Sequence, residues 1–310
     1  MLECALPPLL SLALTAAAQS RWIAISESRG WTARDVHKPV KRFCVSAGAL
    51  PSVAGAAAGL LALSLLTRSA ELGVVLAVPL FHAAMGIYDD HVGLSNLEKV
   101  ILGAVPFLLL HPQPRRILWL SMPTWAFPVW AALLGTFSVN AINILAGFNG
   151  IEAGYSLLVA LALAIHAWLS GDLLTVAVSL VFLAALVPFL RYNVYPARAF
   201  PGNVGTFFMG GYLAIYALLA GLDWVLILML SPHAVDFLLK VFRWGRTSTK
   251  GRSRVLPDGR LAPPPHLSLV GLLLRVRRMT EPQLVLSILT LGAAMLALSL
   301  FLPPLVHAPA

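Results

Sequence analysis

Long apolar runs separated by short polar breaks dominate this chain. A helix rises about 1.5 Å per residue, so runs of roughly 20 apolar residues are long enough to cross the ~30 Å hydrocarbon core of a bilayer. The pattern predicts ten such spans, at about 4–24, 43–66, 71–88, 97–111, 124–144, 153–169, 172–190, 204–221, 223–242 and 283–303. The fourth is short and contains Pro106. Helices satisfy their own backbone polar groups inside lipid, so the expected fold is an all-α polytopic membrane protein. Residues 1–310 read as one integral membrane domain with a basic loop at about 243–282, without a separate soluble domain or an internal repeat. No basic segment precedes the first apolar run (Met1-Leu2-Glu3-Cys4), which predicts a retained span rather than a cleaved signal peptide.

Composition agrees: 59% of residues are hydrophobic and only 11% charged, where a soluble domain carries about 25% charged residues. Charge then orients the spans. All 22 Lys and Arg residues except Arg68, Arg115 and Arg116 fall in the loops after spans 1, 3, 5, 7 and 9, counted with their flanks. By the positive-inside rule these loops are cytoplasmic and both termini face outward. The net charge of +9 is thereby explained without nucleic acid, as basic loops facing anionic lipid or phosphate ligands. Cys4 and Cys44 are the only cysteines, which supports neither a disulfide framework nor a Cys-based zinc site.

The same five loops carry nearly all the candidate chemistry, which predicts one cytoplasmic active site assembled from them. Asp89-Asp90 closes the third span, and adjacent carboxylates repel unless a cation or a basic group compensates. Such hard oxygen ligands suit magnesium, and Lys99, ten residues on, is placed to return to the same mouth. Taken alone the pair is equally readable as a solvated helix cap. Asn140 and Asn143 share a helix face, and with Gly147, Asn149, Gly150 and Glu152 they put three carboxamides and a carboxylate within thirteen residues. Asn143 is suited to offer an amide oxygen to a metal, and Asn140 or Asn149 a hydrogen bond to substrate; interhelical glue is the plainer reading of any one of them. Phe200-Pro201-Gly202-Asn203-Val204-Gly205-Thr206 is a Gly-rich turn before a helix, a form that cradles phosphate. Lys250, Arg252 and Arg254 suit a diphosphate clamp or a lipid-facing basic loop. Pro257-Asp258-Gly259 signals a turn, and Leu267 to Leu274 an interfacial amphipathic helix. His82 and His166 read as packing residues, and Asp172 and Asp223 as members of short outward turns.

Asn140-Ala-Ile-Asn-Ile-Leu-Ala-Gly-Phe-Asn-Gly-Ile-Glu152 closely resembles the signature of the polyprenyl-phosphate N-acetylhexosamine-1-phosphate transferase family, in its eukaryotic and archaeal UDP-GlcNAc:dolichyl-phosphate branch. Tyr88-Asp89-Asp90 with Lys99, the Phe200–Thr206 loop and Arg254-Val-Leu-Pro-Asp-Gly-Arg-Leu261 match further in the same order, so the resemblance covers almost the whole chain. It implies transfer of GlcNAc-1-phosphate from UDP-GlcNAc to a polyprenyl (dolichyl) phosphate, the first membrane step of lipid-linked oligosaccharide synthesis for N-glycosylation. Another UDP-HexNAc donor or an undecaprenyl acceptor is the nearest rival. The implied cofactor is Mg2+, with Mn2+ as the alternative. The implied setting is a cell membrane in a prokaryote or the endoplasmic reticulum in a eukaryote, with a homodimer among the assemblies allowed. In that pattern Asp89, Asp90 and Lys99 are catalytic and Asn143 and the residue at 203 are metal ligands. Asn140, Asn149, Glu152, Lys250, Arg252, Arg254, Asp35 and Lys38 contact substrates.

Two positions depart from the family. Asn203 stands where the family carries an Asp, which removes a full charge from the metal site and keeps open a weakened, merely ligand-binding homologue. After Lys38, Pro39-Val-Lys-Arg-Phe-Cys-Val replaces an expected Pro- and Gly-rich run. The His-rich loop of the MurNAc-pentapeptide branch is absent from the sequence, which argues against a cell-wall substrate.

Overall fold

A computed structural model of the protein describes residues 2–38, 40–117, 120–241 and 253–302. Its helices are α1 (Leu2–Ser28), α2 (Leu50–Thr67), α3 (Glu71–His91), α4 (Asn96–Leu108), α5 (Phe127–Ile144), α6 (Ile151–Leu169), α7 (Leu173–Asn193), α8 (Gly202–Leu219), α9 (Asp223–Met229), α10 (Ser231–Val241), α11 (Leu269–Val276) and α12 (Glu281–Phe301). Three antiparallel two-stranded hairpins lie between them: β1 (Thr32–Asp35) with β2 (Arg42–Val45), β3 (Arg115–Ile117) with β4 (Leu120–Met122), and β5 (Arg254–Val255) with β6 (Leu261–Ala262).

The molecule is a helical integral membrane protein. Among the described residues seven helices are long and apolar enough to cross a bilayer, and α9 with α10, bent by 56°, counts as an eighth if the pair forms one span. The sequence pattern predicted ten. The two further predicted spans correspond to α1, whose final turns carry Gln19, Arg21, Glu27 and Ser28, and to α4. At 13 residues, α4 rises only about 20 Å. The second span also starts later than expected, at Leu50, because residues 42–45 pair with β1 instead of continuing the helix.

The centre of the bundle is α8, in which every residue from Val204 to Leu218 is buried, packed chiefly on α3 and α5. Gly86 on α3 permits the close crossing, since a Cβ there would collide with the Asn203 carbonyl at the start of α8. This crossing carries the end of α3 onto the start of α8. At the same end, β2 is stitched to the loop before α8: Val45 N–H donates to Arg198 O (3.0 Å), Phe200 N–H to Val45 O (2.8 Å) and Gly48 N–H to Phe200 O (2.7 Å). Residues from four separate loops are thus fixed around one mouth of the bundle. As predicted, a turn at 257–259 closes a hairpin and a short helix, α11, follows.

Candidate active site

That mouth holds a cavity of about 440 Å³ lined by the segment 33–37 and by Ser46, Asp90, Asn143, Ala146–Phe148, Glu152, Phe200–Asn203 and Thr206. Its floor is built from helix ends. Asp90 caps α8, its two oxygens accepting the backbone N–H groups of Asn203 (3.0 Å) and Val204 (3.2 Å). An acid here complements the positive end of the helix dipole. Gly202, at φ +68°, makes the turn possible: a Cβ would meet Ser46 O at 2.7 Å and an Asp90 carboxylate oxygen at 3.0 Å.

Asp89 is buried beside it and fully engaged. One oxygen accepts from Leu94 N–H (2.7 Å); the other takes Lys99 Nζ (2.6 Å) and Asn203 Nδ2 (2.7 Å). Asn203 therefore links the two aspartates, its backbone N–H donating to Asp90 and its carboxamide to Asp89. Its Nδ2 faces Asp89, which leaves its Oδ1 as the atom able to meet a cation. Across the floor, in the last turn of α5, Asn143 Oδ1 accepts a hydrogen bond from the Thr206 hydroxyl (3.3 Å). Glu152, in the first turn of α6, accepts from Gly147 N–H (2.8 Å) and so closes the loop between α5 and α6.

The opposite wall comes from the hairpin after α1. His37 stacks on Phe148 at 4.3 Å and its Nδ1 meets Gly147 O at 2.9 Å; a carbonyl only accepts, so Nδ1 carries the proton. Lys38 turns away from the cavity into a buried network, with Nζ at 2.8 Å from Asp35 and 2.5 Å from Glu281 and both partners almost fully covered. Asn149 sits in the same network: its backbone N–H donates to Glu281 (2.7 Å), its Nδ2 to Asp35 (3.2 Å), and its Oδ1 accepts from Ala197 N–H (3.0 Å).

Of the residues singled out from the sequence, Asp35, Asp90, Asn143, Glu152 and Asn203 line the cavity. Asp89 and Lys99 lie behind its floor. Lys38 and Asn149 brace its wall with all their named polar contacts internal, and Asn140 instead donates to Thr136 O (2.8 Å) one turn back on α5. Arg254 is exposed on β5 and does not line the cavity; Lys250 and Arg252 lie outside the described residues. His82 is a packing residue as expected, its two ring nitrogens meeting Val78 O and Gly103 O. Asp223 directly follows the short turn between α8 and α9, and it is buried there, accepting from Trp130 Nε1 (2.8 Å) and pairing with Arg115 (3.7 Å). Sequence reasoning missed Arg34 and Glu281, and named Thr206 only as the end of the Gly-rich turn. Arg34 adjoins a cluster already noticed, whereas Glu281 has no local motif and meets Lys38 only in the fold.

The donors fit a hard cation, but incompletely. Asn143, Asn203 and Asp90 line one cavity and each carries a side-chain oxygen, yet among the described residues no group of three His, Cys, Asp or Glu side chains forms a self-sufficient metal site. Such a set suits magnesium, which binds through one or two carboxylates completed by substrate phosphates and water.

Comparison with known proteins places this geometry in a class. The model of glycosyl transferase family 4 matches residues 72–221, which include Asp89, Asp90, Asn143 and Asn203. A protein of Sulfolobus acidocaldarius provisionally named a UDP-N-acetylglucosamine–dolichyl-phosphate N-acetylglucosaminephosphotransferase is 29% identical over 252 residues, 76% of this chain and 75% of its own. A provisionally named glycosyltransferase of Methanocaldococcus jannaschii is 30% identical over 223 residues, 70% of this chain and 73% of its own. The Dictyostelium discoideum UDP-N-acetylglucosamine–dolichyl-phosphate N-acetylglucosaminephosphotransferase is 31% identical over 253 residues, 66% of this chain and 61% of its own. The chain belongs to glycosyl transferase family 4, the membrane family of polyprenyl-phosphate glycosyl-1-phosphate transferases.

Proposed function

We propose that this protein transfers GlcNAc-1-phosphate from UDP-GlcNAc to a polyprenyl (dolichyl) phosphate, giving polyprenyl-diphospho-GlcNAc and UMP, as the first membrane step of lipid-linked oligosaccharide assembly. The observation that carries this reading is the convergence of Asp90, Asn143, Glu152 and Asn203, from three different loops, on one open cavity. The names of the archaeal and eukaryotic relatives support the donor and acceptor. In this scheme a phosphate oxygen of the acceptor forms a bond to the β-phosphorus of the donor. The bond from that phosphorus to the oxygen bridging to the α-phosphate breaks, and UMP departs with the electron pair. A phosphate monoester with a second pKa near ~6 is already mostly dianionic, so no side chain has to remove a proton.

Phosphoryl transfer of this kind depends on positioning and charge neutralisation. Asp90 fixes the start of α8 and so holds the Phe200–Asn203 turn in the cavity lining. Lys99 and the Asn203 amide neutralise and orient Asp89. Asn143, Asn203 and Asp90 would hold a magnesium ion, which when bound supplies Lewis-acid neutralisation of the diphosphate. The cavity mouth faces the cytoplasm under the positive-inside rule, in a ten-span plan with both termini outward, in the cell membrane of a prokaryote or the endoplasmic reticulum of a eukaryote.

Asn203 favours one rival reading: a homologue that binds the nucleotide sugar or lipid with weakened turnover, since an amide puts one fewer charge at the site. Membranes carrying the full chain, given labelled UDP-GlcNAc, polyprenyl phosphate and Mg2+, are expected to release UMP and form labelled organic-extractable lipid, both blocked by EDTA. No product from this chain with turnover restored by Asn203→Asp would establish the rival. Product from another UDP-HexNAc or from undecaprenyl phosphate alone would move the substrate assignment instead.

A further inference from the structure

We propose that Arg34 is an anion-binding residue of this cavity, contacting the phosphate oxygens of a bound substrate. Nothing in its local sequence announces the role; its placement does. Among the described residues lining the cavity, Arg34 is the only Lys or Arg. Three lysines near this end already have acidic partners: Lys38 is held by Asp35 and Glu281, Lys99 by Asp89, and Lys240 by Asp236 at 2.6 Å, while Lys41 sits 5.4 Å over the Phe43 ring and does not line the cavity. Among the described residues Arg34 takes part in no ion pair, and its side chain is exposed.

Two further observations fit a ligand contact better than an ordinary surface arginine. The first is rigidity. Arg34 lies on β1 opposite Phe43 of β2, and the next residue, Asp35, is pinned by Lys38 at 2.8 Å and by Asn149 at 3.2 Å. The guanidinium is therefore presented from an ordered strand, which lowers the entropy lost on contact. The second is charge. Asp90 and Glu152 line the same cavity, so a diphosphate entering it meets carboxylates and needs a compensating cation. A planar guanidinium matches two phosphate oxygens at once, which a lysine does not. The inference builds on the proposed transferase reading and adds the residue that receives its anionic substrate.

Purified full-length protein would be titrated with UDP and, separately, with short-chain polyprenyl phosphate, for the wild type, Arg34→Ala, Arg34→Gln, Arg34→Lys and Arg29→Ala. Arg29 is a same-sign control that sits 5.0 Å over the Trp31 ring and does not line the cavity. Either Arg34→Ala or Arg34→Gln is expected to weaken one of the two ligands by about tenfold or more, with Arg34→Lys between them and the wild type. Weakening of UDP assigns the contact to the donor, and weakening of the lipid phosphate to the acceptor. Unchanged affinity for both ligands in both neutral variants overturns the proposal, as does an equal loss in Arg29→Ala or a wild type that binds neither ligand. A wild type that binds UDP through Arg34 yet releases no UMP from UDP-GlcNAc defeats the transfer reading and leaves this one standing.

Discussion

Buried charge occurs at both ends of α8, and the two ends behave differently. At its start, Asp89 and Asp90 meet Lys99, Asn203 and two backbone amides beside an open cavity fed by four loops. At its far end, about 27 Å away along the helix axis, Asp223 is closed in by Trp130 and Arg115, and Arg115 also donates to Leu218 O. Both clusters pair an acid with a base inside an apolar bundle. Only the first adds amide oxygens from Asn143 and Asn203 and leaves space for a ligand. A buried ion pair in a membrane protein is thus a poor marker of a site by itself; convergence of polar groups from separate loops on accessible volume is the better one.

The comparison is open to direct attack. The largest effect belongs to the cavity floor: Asp90→Asn and Asn143→Ala are each expected to cut UMP release by about 100-fold or more while the protein remains folded by circular dichroism and gel filtration. Retained turnover in either would remove that residue from the site. At the far end, Asp223→Ala strands the Arg115 guanidinium in a buried place and should destabilise the fold by about 3 kcal/mol, measured by denaturant titration, with UMP release per folded molecule unchanged. Activity loss without destabilisation there would erase the distinction between the ends.

Lys38→Met tests the brace behind the cavity wall. It leaves Asp35 and Glu281 facing each other without their shared cation, so a loss of about 3 kcal/mol is expected, with a smaller effect than Arg34→Ala on affinity for whichever of UDP and polyprenyl phosphate Arg34 contacts. The opposite ranking would make Lys38 a ligand contact, as its sequence position first suggested. The smallest effect concerns Cys44, which donates to Ala197 O at 3.2 Å between two stitched loops. Burial and then the neighbouring Asp35 push its thiol up to about 11, so at pH 7.5 fewer than about one thiol in a thousand is ionised. In a Cys4→Ser background, maleimide should label Cys44 only after denaturation, with labelling of the folded protein rising as pH approaches 11. Fast labelling at neutral pH would mean that this end of the molecule opens readily.

The apolar runs made most spans legible, because a bilayer demands about 20 such residues per crossing whatever their partners. The hairpin at 32–45 was not legible: β2 depends on β1 and on Val45 meeting Ala199, a contact no local window contains. The site shows the same division. Asp90, Asn143 and Asn203 were readable as polar groups in expensive places, and the fold brings them together. The direction each neighbouring side chain takes was not readable, because it is set by remote partners. Lys38 turns inward because Glu281, 243 residues away, is there to receive it, and Asn149 because Ala197 and Asp35 complete its hydrogen bonds.

The most direct test of the account is UMP release measured side by side for the wild type, Asn143→Ala and Asp223→Asn at equal amounts of folded protein, with UDP-GlcNAc, polyprenyl phosphate and Mg2+. The account predicts turnover by the wild type and Asp223→Asn and almost none by Asn143→Ala. Equal turnover by all three, or loss only in Asp223→Asn, would contradict the placement of the chemistry at the start of α8.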